Sequence, residues 1–322
     1  MAPKTDTTGT GAPDTIANTV NRASTVAYYA LVSRLVIWAL AVASHALIQD
    51  YDSALELVLP IETPSQQLFK SIFGVFLRWD SFYFVHIAEK GYVFEQEHAF
   101  FPLVPALMTL ISNTILAPLG AFLTYRQLLV LAGVLVANVS FIVASVQLYK
   151  LTNALFGREK FAFLSAMLYV LTPSGIFMSA MNVGFLRYYE IKQIPNFLMA
   201  APMITLCASG IVYYTLYDLP RAISLGRSAT PVPSNGSTPP FMSTKTFPYI
   251  VLWTALLFSA VTTMHIQIIT RAFSCLPPVY WFAAHQFEGK VLGAGWTKSV
   301  STFFVMYGLV GIVLFANFFP PA

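Results

Sequence analysis

The chain has 322 residues, of which 57% are hydrophobic and 10% charged, with a formal net charge of +4. A mean hydropathy of +0.66 excludes a soluble globule, and the small, scattered positive charge gives no footing for nucleic-acid binding. Its two cysteines, Cys207 and Cys275, both sit in apolar surroundings and indicate neither a disulfide framework nor a cysteine metal site.

Taken in chain order, residues 1–24 lack a basic stretch leading into an apolar core, so they read as a disordered cytoplasmic tail and not a cleaved signal. A bilayer crossing needs about 20 mostly apolar residues. Such runs fall at roughly 27–49, 127–149, 161–181, 196–217, 248–270 and 300–319. They predict an all-α polytopic membrane protein of about six or seven transmembrane helices, with 25–322 as one membrane domain. The first span carries Arg34 and reads as a signal-anchor. Residues 99–118 are apolar too, but Pro102, Pro105 and Pro118 cut the run to interfacial or re-entrant length.

Lys150, Arg158 and Lys160 mark 150–160 as cytoplasmic. Counting spans from there puts 50–126, 182–195 and 271–299 on the far side and 218–247 in the cytoplasm. That last stretch is rich in Pro, Ser, Gly and Thr, the composition of a flexible linker. Its sequon Asn235-Gly236-Ser237 is therefore on the side where no glycan is added, and Asn138-Val139-Ser140 lies inside a span.

The densest polar chemistry is RWDSFYFVHIAEKGYVFEQEHAFFPLVP, residues 78–105, soon after the first span. Asp80 stands where the N-cap of a helix over 81–90 would stand, with Gly91 closing it. A carboxylate beside an apolar surface also suits a general base, and the two roles are compatible. His86, Glu95, Glu97 and His98 lack a metal-ligand spacing and read as solvated loop residues, so no metal is expected. Arg78, Arg187, Lys192 and Arg271 offer donors for a phosphate, with interfacial anchoring as the competing role. Trp79, Tyr83, Tyr92, Tyr188, Tyr280 and Trp281 suit sugar stacking, although taken singly an interfacial aromatic belt explains each better. The residues alone thus point to a far-side cleft for a substrate with a lipid tail and an anionic head.

The 78–105 string, followed by GFLRYYEIKQIPNFLMAAP at 184–202 and RAFSCLPPVYWFAAH at 271–285, resembles the GPI mannosyltransferase 2 family over about residues 25–320. The resemblance implies a GT-C type multi-span fold in the endoplasmic-reticulum membrane. It also implies inverting transfer, on the luminal face, of the second (α-1,6) mannose from dolichyl-phosphate mannose to the lipid-linked GPI precursor. No cofactor is implied, and a small membrane subunit is a partner of related fungal enzymes. Asp80 matches the acid that serves the acceptor in related enzymes. Arg78, Trp79, His86, Glu95, Glu97, His98, Arg187, Tyr188, Arg271 and Trp281 become the expected substrate-binding set.

One departure stands out. After PSGIFMSA at 173–180 the family carries a further luminal element and more spans, whereas here Met181 passes directly to Asn182-Val183-Gly184. An internal stretch is missing, and the topology requires it to hold an even number of spans. The alternative reading is a catalytically inactive or truncated member acting as a membrane subunit or lipid-binding protein. A transporter fits less well, because Arg34 is the chief charge inside the spans.

Overall fold

The computed structural model describes residues 12–48, 63–78, 80–171, 194–226, 238–263, 267–289 and 292–317. Among them every regular element is helical. Helix α1 (Ala12–Leu47) begins within the stretch expected as a tail. Helix α2 (Pro64–Phe73) starts on a capping box: the Thr63 hydroxyl accepts from the Gln66 amide at 3.4 Å while Gln66 Oε1 accepts from the Thr63 amide at 3.1 Å. Two short helices, α3 (Ser81–Lys90) and α4 (Leu103–Asn113), lead to the long α5 (Tyr125–Phe156). Gly157 ends α5 at φ 63°, a left-handed turn that favours glycine. There follow α6 (Glu159–Val170), α7 (Ile194–Tyr217), α8 (Leu219–Ile223), α9 (Phe247–Thr263), α10 (Gln267–Ala272), α11 (Pro277–Gly289) and α12 (Ala294–Ala316).

Five stretches are long and apolar enough to cross a membrane: Arg22–Leu47, Tyr125–Phe156, Phe197–Tyr217, Thr244–Thr262 and Ala294–Ala316. The protein is accordingly a multi-pass membrane protein. Of the crossing expected at 161–181, α6 forms the first part and the rest lies outside the described residues. The segment broken by prolines holds only the eleven residues of α4, short of a span.

One end of the bundle is tied together by polar contacts. Arg22 meets Glu159 at 2.9 Å, Lys245 donates to the Leu155 carbonyl at 2.8 Å, and the Tyr214 hydroxyl donates to the Ser243 carbonyl at 3.0 Å. The starts of α6 and α9 and the finish of α7 therefore share this end. Helix α6 leaves this end and α7 returns to it.

The expected far-side position of 271–299 is overturned. Helix α11 is a buried return: Tyr280 meets Tyr169 edge-on at 5.3 Å, Trp281 Nε1 donates to Thr152 Oγ1 at 2.8 Å, and His285 stacks on Phe241 at 5.7 Å. Helix α12 then starts near Gln286, whose Oε1 accepts from the Leu292 amide at 3.1 Å, and climbs to the other end. There Asn317 Nδ2 donates to Ser44 Oγ at 2.8 Å. Counting spans reversed α12 because thirteen residues containing His285, Gln286 and Glu288 give no span signal, yet they fold back through the core.

Trp253, Trp281, Phe241 and Phe282 are fully buried at the centre of the larger core. Gly210 allows α7 to approach it, since a Cβ there would stand 2.7 Å from the Trp253 ring and 2.9 Å from Phe282. Phe241 also corrects the reading of 218–247 as linker throughout. Asp218 caps α8 and pairs with Arg221 at 2.7 Å, and Pro240, Phe241 and Met242 are buried. Apolar side chains within a polar composition anchor both ends of that stretch, and only 227–237, with the sequon at Asn235, lie outside the described residues.

Candidate functional site

The segment carrying Asp80 is held from both sides. Upstream, the Arg78 guanidinium is 1% exposed and is clamped by main chain: Nε and Nη2 donate to the Ala316 carbonyl at 3.1 and 3.0 Å, and Nη1 donates to the Gly74 carbonyl at 2.7 Å. Nη2 also lies 3.3 Å from His45 Nδ1. Arg78, expected to grip a phosphate, instead joins the end of α12 to the end of α1 and to the turn after α2. Downstream, the Asp80 carbonyl accepts from the Tyr83 and Phe84 amides at 3.1 and 3.3 Å and opens α3.

Asp80 does occupy the N-cap of α3, and its carboxylate makes no capping hydrogen bond to the helix. The residue is half-buried. Its backbone is thus fixed by neighbours while its side chain is not consumed by the cap.

The segment after α3 folds back over it. Gly91 turns the chain at φ 77°. Glu97, 1% exposed, accepts from the Val93 and Phe94 amides at 2.7 and 3.0 Å through Oε2, while Nδ1–H of His86 donates to its Oε1. Tyr83 stacks on Phe100 at 5.0 Å, and the Tyr92 hydroxyl donates to the Phe100 carbonyl at 2.7 Å. Glu97, read from sequence as a solvated loop residue, is therefore the buried keeper of this fold-back. Its partner residue lies eleven positions earlier, a spacing with no periodic signature. Glu95 and His98 remain exposed, His98 stacked on Tyr92 at 5.1 Å. Arg126 clasps Glu89 in a fork, with Nε and Nη2 at 3.1 and 2.7 Å from Oε2, and so fastens α3 to the start of α5.

Burial alone would raise the Glu97 carboxyl, but the Phe94 and Val93 amides and His86 outweigh it and hold the group below its ordinary value of 4.5. A depressed folded value means that this carboxylate contributes stability above about 4.5 and loses it as pH falls through the lowered value. The protection of the Val93 and Phe94 amides from hydrogen exchange, relative to their intrinsic rates at each pH, should accordingly fall on acidification below that range. In Glu97→Gln the exchange should be fast at neutral pH and lose this acid dependence; unchanged protection in the variant would refute the role.

The remaining expected site residues are dispersed. Trp79, Arg187, Tyr188 and Lys192 lie outside the described residues, and Arg271 is on α10 with its side chain outside them. Trp281 is in the core, hydrogen-bonded to Thr152, and not in a far-side cleft. No three His, Cys, Asp or Glu side chains among the described residues gather as a metal site would need. Below α3 the structure holds a cavity of about 430 Å³, walled by Ser81, Phe84, Met108, Asn138, Tyr169 and Arg34. Ser81, in the wall of this space, follows Asp80 directly in the chain, and Asp80 itself is not among the lining residues. Arg34 was visible in the sequence as a charge inside a span, but no part of the sequence linked it to Asp80.

Fold and site define a helical multi-pass membrane protein whose acid-bearing segment is locked against the ends of its first and last spans, over an intramembrane cavity. The model of the mannosyltransferase (PIG-V) family matches residues 23–182 and 179–322, and the chain belongs to that family. It is similar to GPI alpha-1,6-mannosyltransferase 2 of Mus musculus, 32% identical over 179 residues that cover 43% of this chain and 36% of the mouse protein. The protein of the same name from Cricetulus griseus is 23% identical over 373 residues, covering 70% and 75%. GPI mannosyltransferase 2 of Gibberella zeae is 24% identical over 410 residues, covering 85% and 92%. No solved structure matches the chain. The last two alignments are longer than the 322 residues present, so those relatives carry residues with no counterpart here. The family match divides at 179–182, which is where the resemblance placed the missing stretch.

Proposed function

We propose that the protein adds the second, α-1,6-linked mannose to the GPI-anchor precursor on the luminal face of the endoplasmic reticulum, with dolichyl-phosphate mannose as donor. The observation that carries this reading is the coincidence of a family match over both parts of the chain with an acid, Asp80, one residue along the chain from the wall of a membrane cavity. Asp80 accepts the proton of the acceptor's 6-hydroxyl as that oxygen attacks the anomeric carbon. The bond from this carbon to the phosphate oxygen breaks, its electron pair leaves with dolichyl phosphate, and configuration inverts. The electrostatic demand falls on the departing phosphate, which needs a cation placed before the reaction starts.

The test is mannosyl transfer by membranes containing this chain, supplied with dolichyl-phosphate mannose and a one-mannose GPI precursor. The expected product carries two mannoses. Well-expressed chain that forms none would assign it instead to the non-catalytic reading, a membrane subunit or lipid-binding protein, which the divided family match favours.

A further inference from the structure

Among the described residues Arg34 is a buried charge that the fold does not explain. It lies in α1 about 16 Å from His45 along the helix axis, deep within the first span. It is 6% exposed, and its Nε and Nη2 are buried with no hydrogen-bond partner among the described residues. The guanidinium carbon sits 3.8 Å from the centre of the Phe141 ring, a contact that steadies the cation but satisfies none of its N–H groups. A guanidinium inside a bilayer is costly and is retained where it meets an anion or a polar pathway. Buried donors left unpaired add to that cost.

The surroundings show what kind of anion would fit. Arg34 lines the cavity below α3, and Ser81 lines the same cavity on the side of Asp80. A second, mostly apolar groove of about 540 Å³ shares Ala144 and Tyr169 with it and continues along α5 past Leu148 and Leu151 to Lys150 and Pro277. The two spaces together bring Ser81, the residue after Asp80, a buried cation and a mostly apolar groove along α5 into one neighbourhood.

We propose that Arg34 binds the phosphate of a polyprenyl phosphate lipid, the donor class assumed in the proposed function on which this inference rests. The sugar lies on the Ser81 side toward Asp80, the guanidinium fork takes two phosphate oxygens, and the hydrocarbon follows the groove along α5. The arrangement supplies the cation that the departing phosphate requires, a need that Arg78 does not meet because its donors are held by main-chain carbonyls.

The test uses the purified full chain in lipid nanodiscs, labelled by a dolichyl phosphate that carries a photoreactive group in its chain. This probe bears no sugar, so binding is read without any transfer. Unlabelled dolichyl phosphate should compete at about tenfold lower concentration than neutral dolichol, and Arg34→Gln should remove that preference while Arg34→Lys keeps part of it. Should Arg34→Gln fail to fold, Ala144→Trp blocks the junction of cavity and groove with Arg34 intact and should also abolish labelling. Equal competition by dolichol, or wild-type labelling of Arg34→Gln or Ala144→Trp, would overturn the site. Competition by phosphatidylglycerol as strong as by dolichyl phosphate would assign the cavity to bilayer phospholipid and overturn the donor assignment. Arg34-dependent binding in a chain that transfers no mannose sustains this inference and removes the proposed activity; transfer with Arg34-independent binding does the reverse.

Discussion

Exchange of Asp80 for asparagine is expected to lower mannosyl transfer by about 10²- to 10⁴-fold, the usual contribution of a positioned general base. Asparagine matches the carboxylate in shape but cannot take up the acceptor's proton. The helix behind it does not depend on the charge, because the Asp80 side chain makes no capping hydrogen bond to α3 and the start of the helix is set by its backbone carbonyl. The loss should therefore appear in the rate at matched expression, with helix content close to wild type. Asp80→Asn with undiminished turnover would remove the base from Asp80.

The second large effect is on folding. Arg78→Ala should destabilise the protein by about 3 kcal/mol or more, because it strands buried carbonyls and leaves a void where a fully buried side chain stood. The Ala316 carbonyl loses two donors and the Gly74 carbonyl loses one. Arg78→Lys retains the charge but not the planar fork that reaches both carbonyls, so it should fall between alanine and wild type. Thermal unfolding in detergent and protease sensitivity of 63–105 measure this. A variant as stable as wild type that has lost transfer would return Arg78 to the substrate-binding role expected from its sequence position.

Hydropathy made the long spans legible, since α1, α5, α7, α9 and α12 each satisfy the length a bilayer demands. Prolines correctly excluded α4 as a crossing, and Asp80 was legible as a helix start because its flanking residues are local. Contacts between distant parts of the chain were not. Arg78 meets Ala316 across 238 positions, and nothing near either residue encodes the other. Trp281 read as an interfacial aromatic because α11 is too short and too polar to register as a buried pass, and that one omission inverted the direction of α12. Arg34 showed the opposite difficulty: its oddity was plain, but its place beside the Asp80 cavity depends on how α1, α3, α5 and α6 pack.

The 238-residue reach of the Arg78 clamp also bears on how the protein is made. A ribosome delivers the Asp80 segment before Ala316, so until those 238 further positions have been added the acid-bearing segment exists without its fastening. A nascent chain halted before α12 would already hold Asp80, Glu97 and the cavity wall of α5, yet would lack the carbonyl that fixes Arg78. Fastening of the acid-bearing segment therefore waits for a helix made long after the segment itself.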